Sequence, residues 1–199
     1  MESNRVDAFS DFMRAFDKAT LLVLIPMLAV PFLLDLVFSL QPPWPRYSTY
    51  ATAFLELATL FLAFFWRVQG RAQLFRIQVT VFTLICVMFV AYFLLYSLFV
   101  FEVPVTGEKL VAGFVCTDQA ADFIAPALMQ ACPFLNEEAL AASGYVAEVV
   151  WTPLSVRLVE VMMFVAWSSF FILTTFLFGI SVAWLRRTGR AGARNVSHG

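Results

Sequence analysis

Two cysteines sixteen residues apart, Cys116 and Cys132, and two acids inside apolar stretches, Asp35 and Glu56, are the side chains best placed for chemistry. A thiol pair either closes a structural staple or exchanges electrons. Redox pairs commonly show CxxC spacing in a setting that favours the thiolate, and neither surrounds these two. The spacing therefore favours a disulfide, which would close a loop of about 15 residues and contribute ~3 kcal/mol. An acid inside an apolar run is costly and is a functional candidate on that ground. Asp35 and Glu56 could form a proton or cation relay, or a polar pocket for a ligand headgroup. The plainer reading gives each a structural hydrogen bond. Asp35 would find one near Q-P-P-W-P, and Glu56 on another helix, at Ser168, Ser169, Thr174, Thr175, Tyr92 or Tyr96.

Other chemistry is poorly supplied. The single histidine, His198, stands in a Gly- and Arg-rich tail. No spaced His/Cys set offers the several ligands that zinc needs. A phosphate loop, nucleophile elbow, HExxH or Gly-rich cofactor turn is not found. No catalytic residue, metal or cofactor is expected, and an enzyme is the less favoured class.

The elements that must position these residues follow from composition. Of 199 residues, 61% are hydrophobic and 14% charged, with 23 Phe. Mean hydropathy is +0.82. A soluble domain is about 45–50% apolar and about 25% charged. The excess excludes an ordinary water-soluble globule and a disordered chain. A net charge of −1 gives no support for nucleic-acid binding.

Four runs approach the ~20 residues that cross a ~30 Å hydrocarbon core: Thr20–Leu40, Tyr50–Trp66, Val79–Phe101 and Val161–Trp184. They are continuous rather than alternating, so helices are expected and not a barrel. With the N-terminus in the cytoplasm, the inner segments hold Arg5, Arg14, Lys18, Arg67, Arg71, Arg76, Arg186, Arg187, Arg190 and Arg194. Only Arg46, Lys109 and Arg157 fall outside. Positive-inside bias then predicts both termini inside. Trp44, Trp66, Trp151 and Trp184 fall near run ends, where amphipathic rings sit at interfaces. By rise per residue, Glu56 lies ~15 Å from Trp66, near mid-membrane, and Asp35 ~22 Å from Thr20. The two acids could therefore be neighbours on consecutive helices.

The predicted layout is an interfacial amphipathic helix within 1–18, spans 1–3 within 19–101, a cap over 102–156, a fourth helix over 157–185, and a disordered basic tail over 186–199. Val6, Phe9, Phe12, Met13 and Phe16 give residues 5–18 an apolar stripe, suited to the headgroups or to a docking partner. The first run is too long for a cleavable signal and is expected to act as the insertion signal. Arg67–Arg76 reads as a short basic turn. Within the cap, V-P-V-T-G-E-K-L-V-A-G-F-V predicts a hairpin turning at Thr106–Gly107. Helical pieces are expected at Asp118–Met129 and, from an Asn136 cap, at Glu137–Ser143 with Gly144 as the stop. Thr152 and Pro153 predict the start of the last helix. Arg157 and Glu160 sit three apart on its first turns, spaced for an interfacial ion pair.

The block F-E-V-P-V-T-G-E-K-L-V-A-G-F-V-C-T, then V-V-W-T-P-L-S-V-R and a long Trp- and Phe-rich helix, resembles small multi-span proteins encoded beside YEATS-like domains in bacterial conflict systems. The resemblance covers the second half of the chain and implies a membrane effector or sensor operated by an encoded partner. The span count, termini and cysteine pair are also similar to the bacterial disulfide-forming membrane proteins. Those carry a second pair, as CxxC, in the first outer loop, whereas Q-P-P-W-P-R-Y-S-T here has no cysteine.

The fold class expected is an all-α integral membrane protein. Its four-transmembrane-helix bundle would have both termini cytoplasmic and a disulfide-stapled extracytoplasmic cap between helices 3 and 4. The function expected is a non-catalytic subunit, sensor or effector in the bacterial inner membrane, partnered by itself or another protein. The alternatives are a thiol-redox oxidoreductase using Cys116 and Cys132, and an oligomeric ion- or proton-conducting protein using Glu56 and Asp35.

Overall fold

The computed structural model describes residues 29–37, 42–66, 70–103, 106–118, 120, 132–133, 135, 140–141 and 143–196; Phe64 and residues 186–196 are described by their backbone alone. Residues 5–18, the first part of the first apolar run, most of 119–139 and His198 lie outside these.

Residues 29–37 are helical and are labelled α1. Helix α2 spans Ser48–Phe65 and α3 spans Arg71–Phe99. Two short strands follow, β1 at Val100–Glu102 and β2 at Lys109–Val111. A single turn, α4, occupies Ala147–Val150, and α5 runs Pro153–Val196. Among the described residues, two helical stretches are long and apolar enough to cross a membrane, Arg71–Phe99 and Pro153–Leu185.

Several boundaries move from the sequence expectation. The third apolar run begins at Val79, yet α3 begins at Arg71. Arg, Ala, Gln and Leu are strong helix formers, so R-A-Q-L-F-R extends the helix rather than forming a connector. The tail expected to be disordered continues α5 as far as Val196. Propagating an existing helix is far easier than nucleating one, and the Arg and Ala residues there sustain it despite Gly189 and Gly192.

Helix α5 is the central element, with α2 and α3 packed along it. Thr52 meets Ser168 and Glu56 meets Thr175, so α2 runs parallel to α5. Gln78 meets Ser181 and Tyr92 meets Trp167, so α3 runs antiparallel. Tyr92, Met163, Trp167 and Phe171 form the buried core of the α3–α5 contact. The rings of Tyr92 and Trp167 lie 5.2 Å apart. From α1, Leu34 packs on the same cluster, and Phe32 meets Tyr50 edge-on at 5.6 Å.

The outward faces are apolar. Along α3 the buried residues are Leu74, Val81 and Tyr92, spaced to lie on one stripe. Around them Phe75, Phe82, Phe89, Val90, Phe93 and Leu94 are exposed. On α2, Phe54 is 71% exposed and Leu62 64%. On α5, Val161, Met162, Val165 and Phe178 are exposed. A helix that faces water on its outer side carries polar residues there. These helices carry Phe, Leu and Val.

At one end of the three helices stands the cap. Strands β1 and β2 pair antiparallel, Val100 with Val111 and Glu102 with Lys109. The expected hairpin is therefore present. Gly107 takes φ +67°, and its N–H donates to the Val103 carbonyl at 2.8 Å. Only glycine adopts that left-handed geometry without strain.

Candidate functional site

Three places could carry function: the stapled cap, a polar seam between α2 and α5, and a charged cleft beside the hairpin.

The cap is built around Trp151, which is 1% exposed. The sequence suggests an interfacial position for this ring, but the fold buries it. The reason is local. Thr117 N–H donates to the Val150 carbonyl and Thr152 N–H to that of Val115, each at 2.9 Å. This short ladder pairs Cys116 with Trp151 and lays the indole over Ala112, Ala120, Leu140 and Val150. The indole N–H then donates to the Pro133 carbonyl at 3.2 Å. Cys132 precedes that proline and is disulfide-bonded to Cys116, with Cα atoms 6.4 Å apart. The staple thus ties the 132–133 segment to one strand of the ladder, and the indole ties it to the other. Gly113 lets them close on α5, because a Cβ there would meet the Ser155 hydroxyl and lie 2.8 Å from the Trp151 Cβ. Gly144, at φ +66°, ends the short helical turn through Ala141, as expected of a stop signal.

The seam runs the length of the α2–α5 contact. Ser48, Thr52, Glu56, Leu60 and Ala63 are all buried, and a spacing of four, four, four and three puts them on one face of α2. Thr52 and Ser168 hydroxyls lie 3.2 Å apart. The Thr175 hydroxyl donates to Glu56 Oε1 at 3.3 Å. Glu56 is 1% exposed, and its Oε2 has no hydrogen-bond partner among the described residues; the Ser48 hydroxyl is likewise buried without one. At the far end Gly179 of α5 nearly touches α2.

Of the partners expected for Glu56, Thr175 is its partner, and Ser168 lies in the same seam bonded to Thr52. Thr174 donates instead to the Phe170 carbonyl of its own helix. Tyr92 and Tyr96 stack on each other away from the seam. The hydroxyls of Ser48 and Thr52 were not singled out from sequence. Their signal was the i, i+4, i+8 spacing in S-T-Y-A-T-A-F-L-E.

Asp35 lies elsewhere. It lines a cleft of about 410 Å³ with Pro42, Pro43, Arg46 and the hairpin residues Gly107, Glu108 and Lys109. The cleft gathers two acids and two bases from three segments. Lys109 also lies over the Tyr96 ring, 5.6 Å from its centroid. Asp35 and Glu56 therefore occupy different surroundings, the cleft and the seam, and share no contact among the described residues. Arg157 and Glu160 form the expected ion pair at 2.8 Å, and the Arg157 guanidinium lies 5.9 Å from the Trp44 ring centroid.

No protein family matches this chain, and neither a curated protein nor a solved structure does.

Proposed function

We propose that the chain is a multi-pass membrane protein of the bacterial inner membrane, with four spans and both termini cytoplasmic. It acts without catalysis, as a subunit, sensor or effector, through its extracytoplasmic cap and through helix–helix contacts. The observation that carries this reading is the exposed apolar face shared by α2, α3 and α5. Contiguous apolar surface of that extent marks a membrane or protein contact rather than a free aqueous surface.

Two further features support it. The helix directions alternate as successive spans must, α2 and α5 parallel and α3 against them. Arg71 and Arg76 lie at the end away from the cap, while the disulfide lies in the cap. Positive charge inside and an oxidised pair outside fit that polarity. The likeness to conflict-system membrane proteins points the same way, toward an effector or sensor worked by a partner.

A thiol-blocking gel shift on intact cells, with and without reductant, tests this in a Cys86→Ser background. Cys116 and Cys132 are expected to resist labelling until reduced and to be uniformly oxidised. A reduced fraction, or mixed disulfides with other proteins, would overturn the non-catalytic reading in favour of thiol exchange. Release of the chain from membranes by alkaline carbonate would overturn the membrane reading itself.

One observation favours a second reading, an ion- or proton-conducting oligomer: the buried Glu56 Oε2, which has no partner among the described residues. Buried carboxyls are normally satisfied, and an orphan one at a helix seam is a candidate carrier. Flux in vesicles containing the purified protein, lost in Glu56→Gln, would establish it; vesicles as tight as protein-free controls would exclude it.

A further inference from the structure

At the end away from the cap, two cavities between α3 and α5 run into each other. The first, of about 280 Å³, is lined by Arg71, Leu74, Gln78, Trp184 and Leu185, among others. The second, of about 430 Å³, is lined by Val79, Phe82, Thr83, Leu177 and Phe178. Phe75, Gln78 and Ser181 belong to both. The result is one groove with a cationic, amide-bearing head and an apolar tail.

Its dimensions and charge are specific. From Arg71 to Phe82 the groove climbs ~17 Å along α3. That is about half of a ~30 Å hydrocarbon core, one leaflet deep. Trp184 stands at the head end, where indoles favour the headgroup level. Neither Arg71–Phe99 nor the stretch 161–199 contains an Asp or Glu. Among the described lining residues a headgroup ammonium finds no counter-charge, whereas a phosphate would meet the exposed Arg71. Gln78 Nε2 spends one hydrogen on the Ser181 hydroxyl at 2.9 Å, and that hydroxyl donates onward to the Leu177 carbonyl. The second amide hydrogen of Gln78 remains for a phosphate or ester oxygen.

We propose that this groove binds one anionic glycerophospholipid of the cytoplasmic leaflet, with its phosphate at Arg71 and one acyl chain along Phe75, Phe82 and Phe178. The assignment rests on the membrane reading above and adds a headgroup preference to it. Lipids without net charge pass over the site, since its described lining supplies a cation and no anion. The groove tethers the start of α3 to α5 through the lipid, beside the Gln78–Ser181 bond.

The test uses the full chain in a mild non-ionic detergent, titrated with phosphatidylglycerol or phosphatidylcholine. Thermal unfolding and native mass spectrometry are the readouts. Phosphatidylglycerol is expected to raise the unfolding midpoint and to be retained as one molecule per chain; phosphatidylcholine is expected to do neither. Arg71→Gln is expected to weaken phosphatidylglycerol binding about fivefold, the contribution of one cation at a headgroup. Arg76→Gln, on the same helix end but outside the groove lining, is expected to leave it unchanged. Thr83→Phe fills the tail from an exposed position and is expected to lower binding without touching the charge. Equal binding of the two lipids by the wild type overturns the proposal. So does an Arg76→Gln loss as large as that of Arg71→Gln, which would mean diffuse surface charge. Extraction of the chain by alkaline carbonate would sink the membrane reading instead, a distinct result.

Discussion

Gly179 of α5 and Ala63 of α2 face each other so closely that a Cβ at position 179 would lie 2.9 Å from the Ala63 Cβ. Real Cβ atoms do not approach in this way, so the missing side chain at 179 is what lets the two helices meet. Helix propensity alone favours alanine over glycine by about 1 kcal/mol. Gly179→Ala is nonetheless expected to destabilise the protein by about 1–3 kcal/mol, the usual cost of overpacking. Ala63→Gly in the same chain is expected to restore part of the loss. Thermal unfolding of the four variants gives the coupling, and a purely additive result would contradict the close approach.

The disulfide is the second test. Cys116→Ser and Cys132→Ser are each expected to lower accumulation to the same degree, with the double variant no worse. The loss should be about 2–4 kcal/mol where unfolding is measurable. A double variant much worse than either single would mean that the thiols act separately.

In the cap, Gly113→Ala is expected to be costly although the backbone there is not left-handed. Its Cβ would press on Trp151 and on the Ser155 hydroxyl, which accompanies the first turn of α5. A loss of about 1–3 kcal/mol is expected. Trypsin sensitivity of the cap, with the helices unaffected, is the measurement. Unchanged sensitivity would show that Trp151 leaves room for a β-carbon at 113.

For Glu56, the Gln and Leu variants separate packing from charge. Glu56→Gln keeps an oxygen for the Thr175 hydroxyl and is expected to accumulate as the wild type does. Glu56→Leu removes that acceptor; on the membrane reading the cost is about 0.6 kcal/mol, the average for a hydrogen bond between helices in lipid. A large loss of folded protein in the Gln variant would show that the carboxyl makes a contact that the amide cannot.

How much of this was legible in the sequence depends on the range of the interaction. The disulfide, the hairpin turn at Thr106–Gly107, the Pro153 start and the Arg157–Glu160 pair all rest on local signals, and each is where the sequence places it; the first strand, Val100–Glu102, instead takes the end of the third apolar run. Thr175 as the partner of Glu56 was one of several candidates, because only the rotation of α5 against α2 selects among its hydroxyls. The burial of Trp151 needed the ladder between 115–117 and 150–152, a pairing across more than thirty residues. Asp35 and Glu56 looked like neighbours by depth, but depth says nothing about azimuth. Asp35 lines the cleft beside the hairpin, whereas Glu56 lies in the α2–α5 seam.

The junctions of the cap have a mechanical meaning. The chain passes from Phe99 of α3 straight into β1, and from Trp151 through Thr152 into α5, with no slack linker at either point. The cap is thus clamped to two stiff rods, and the Gln78–Ser181 bond couples those rods at their opposite ends. By this connectivity a load placed on the cap would fall on α3 and α5 together. Helix α2 would share it through the contacts at Glu56, Thr175 and Gly179.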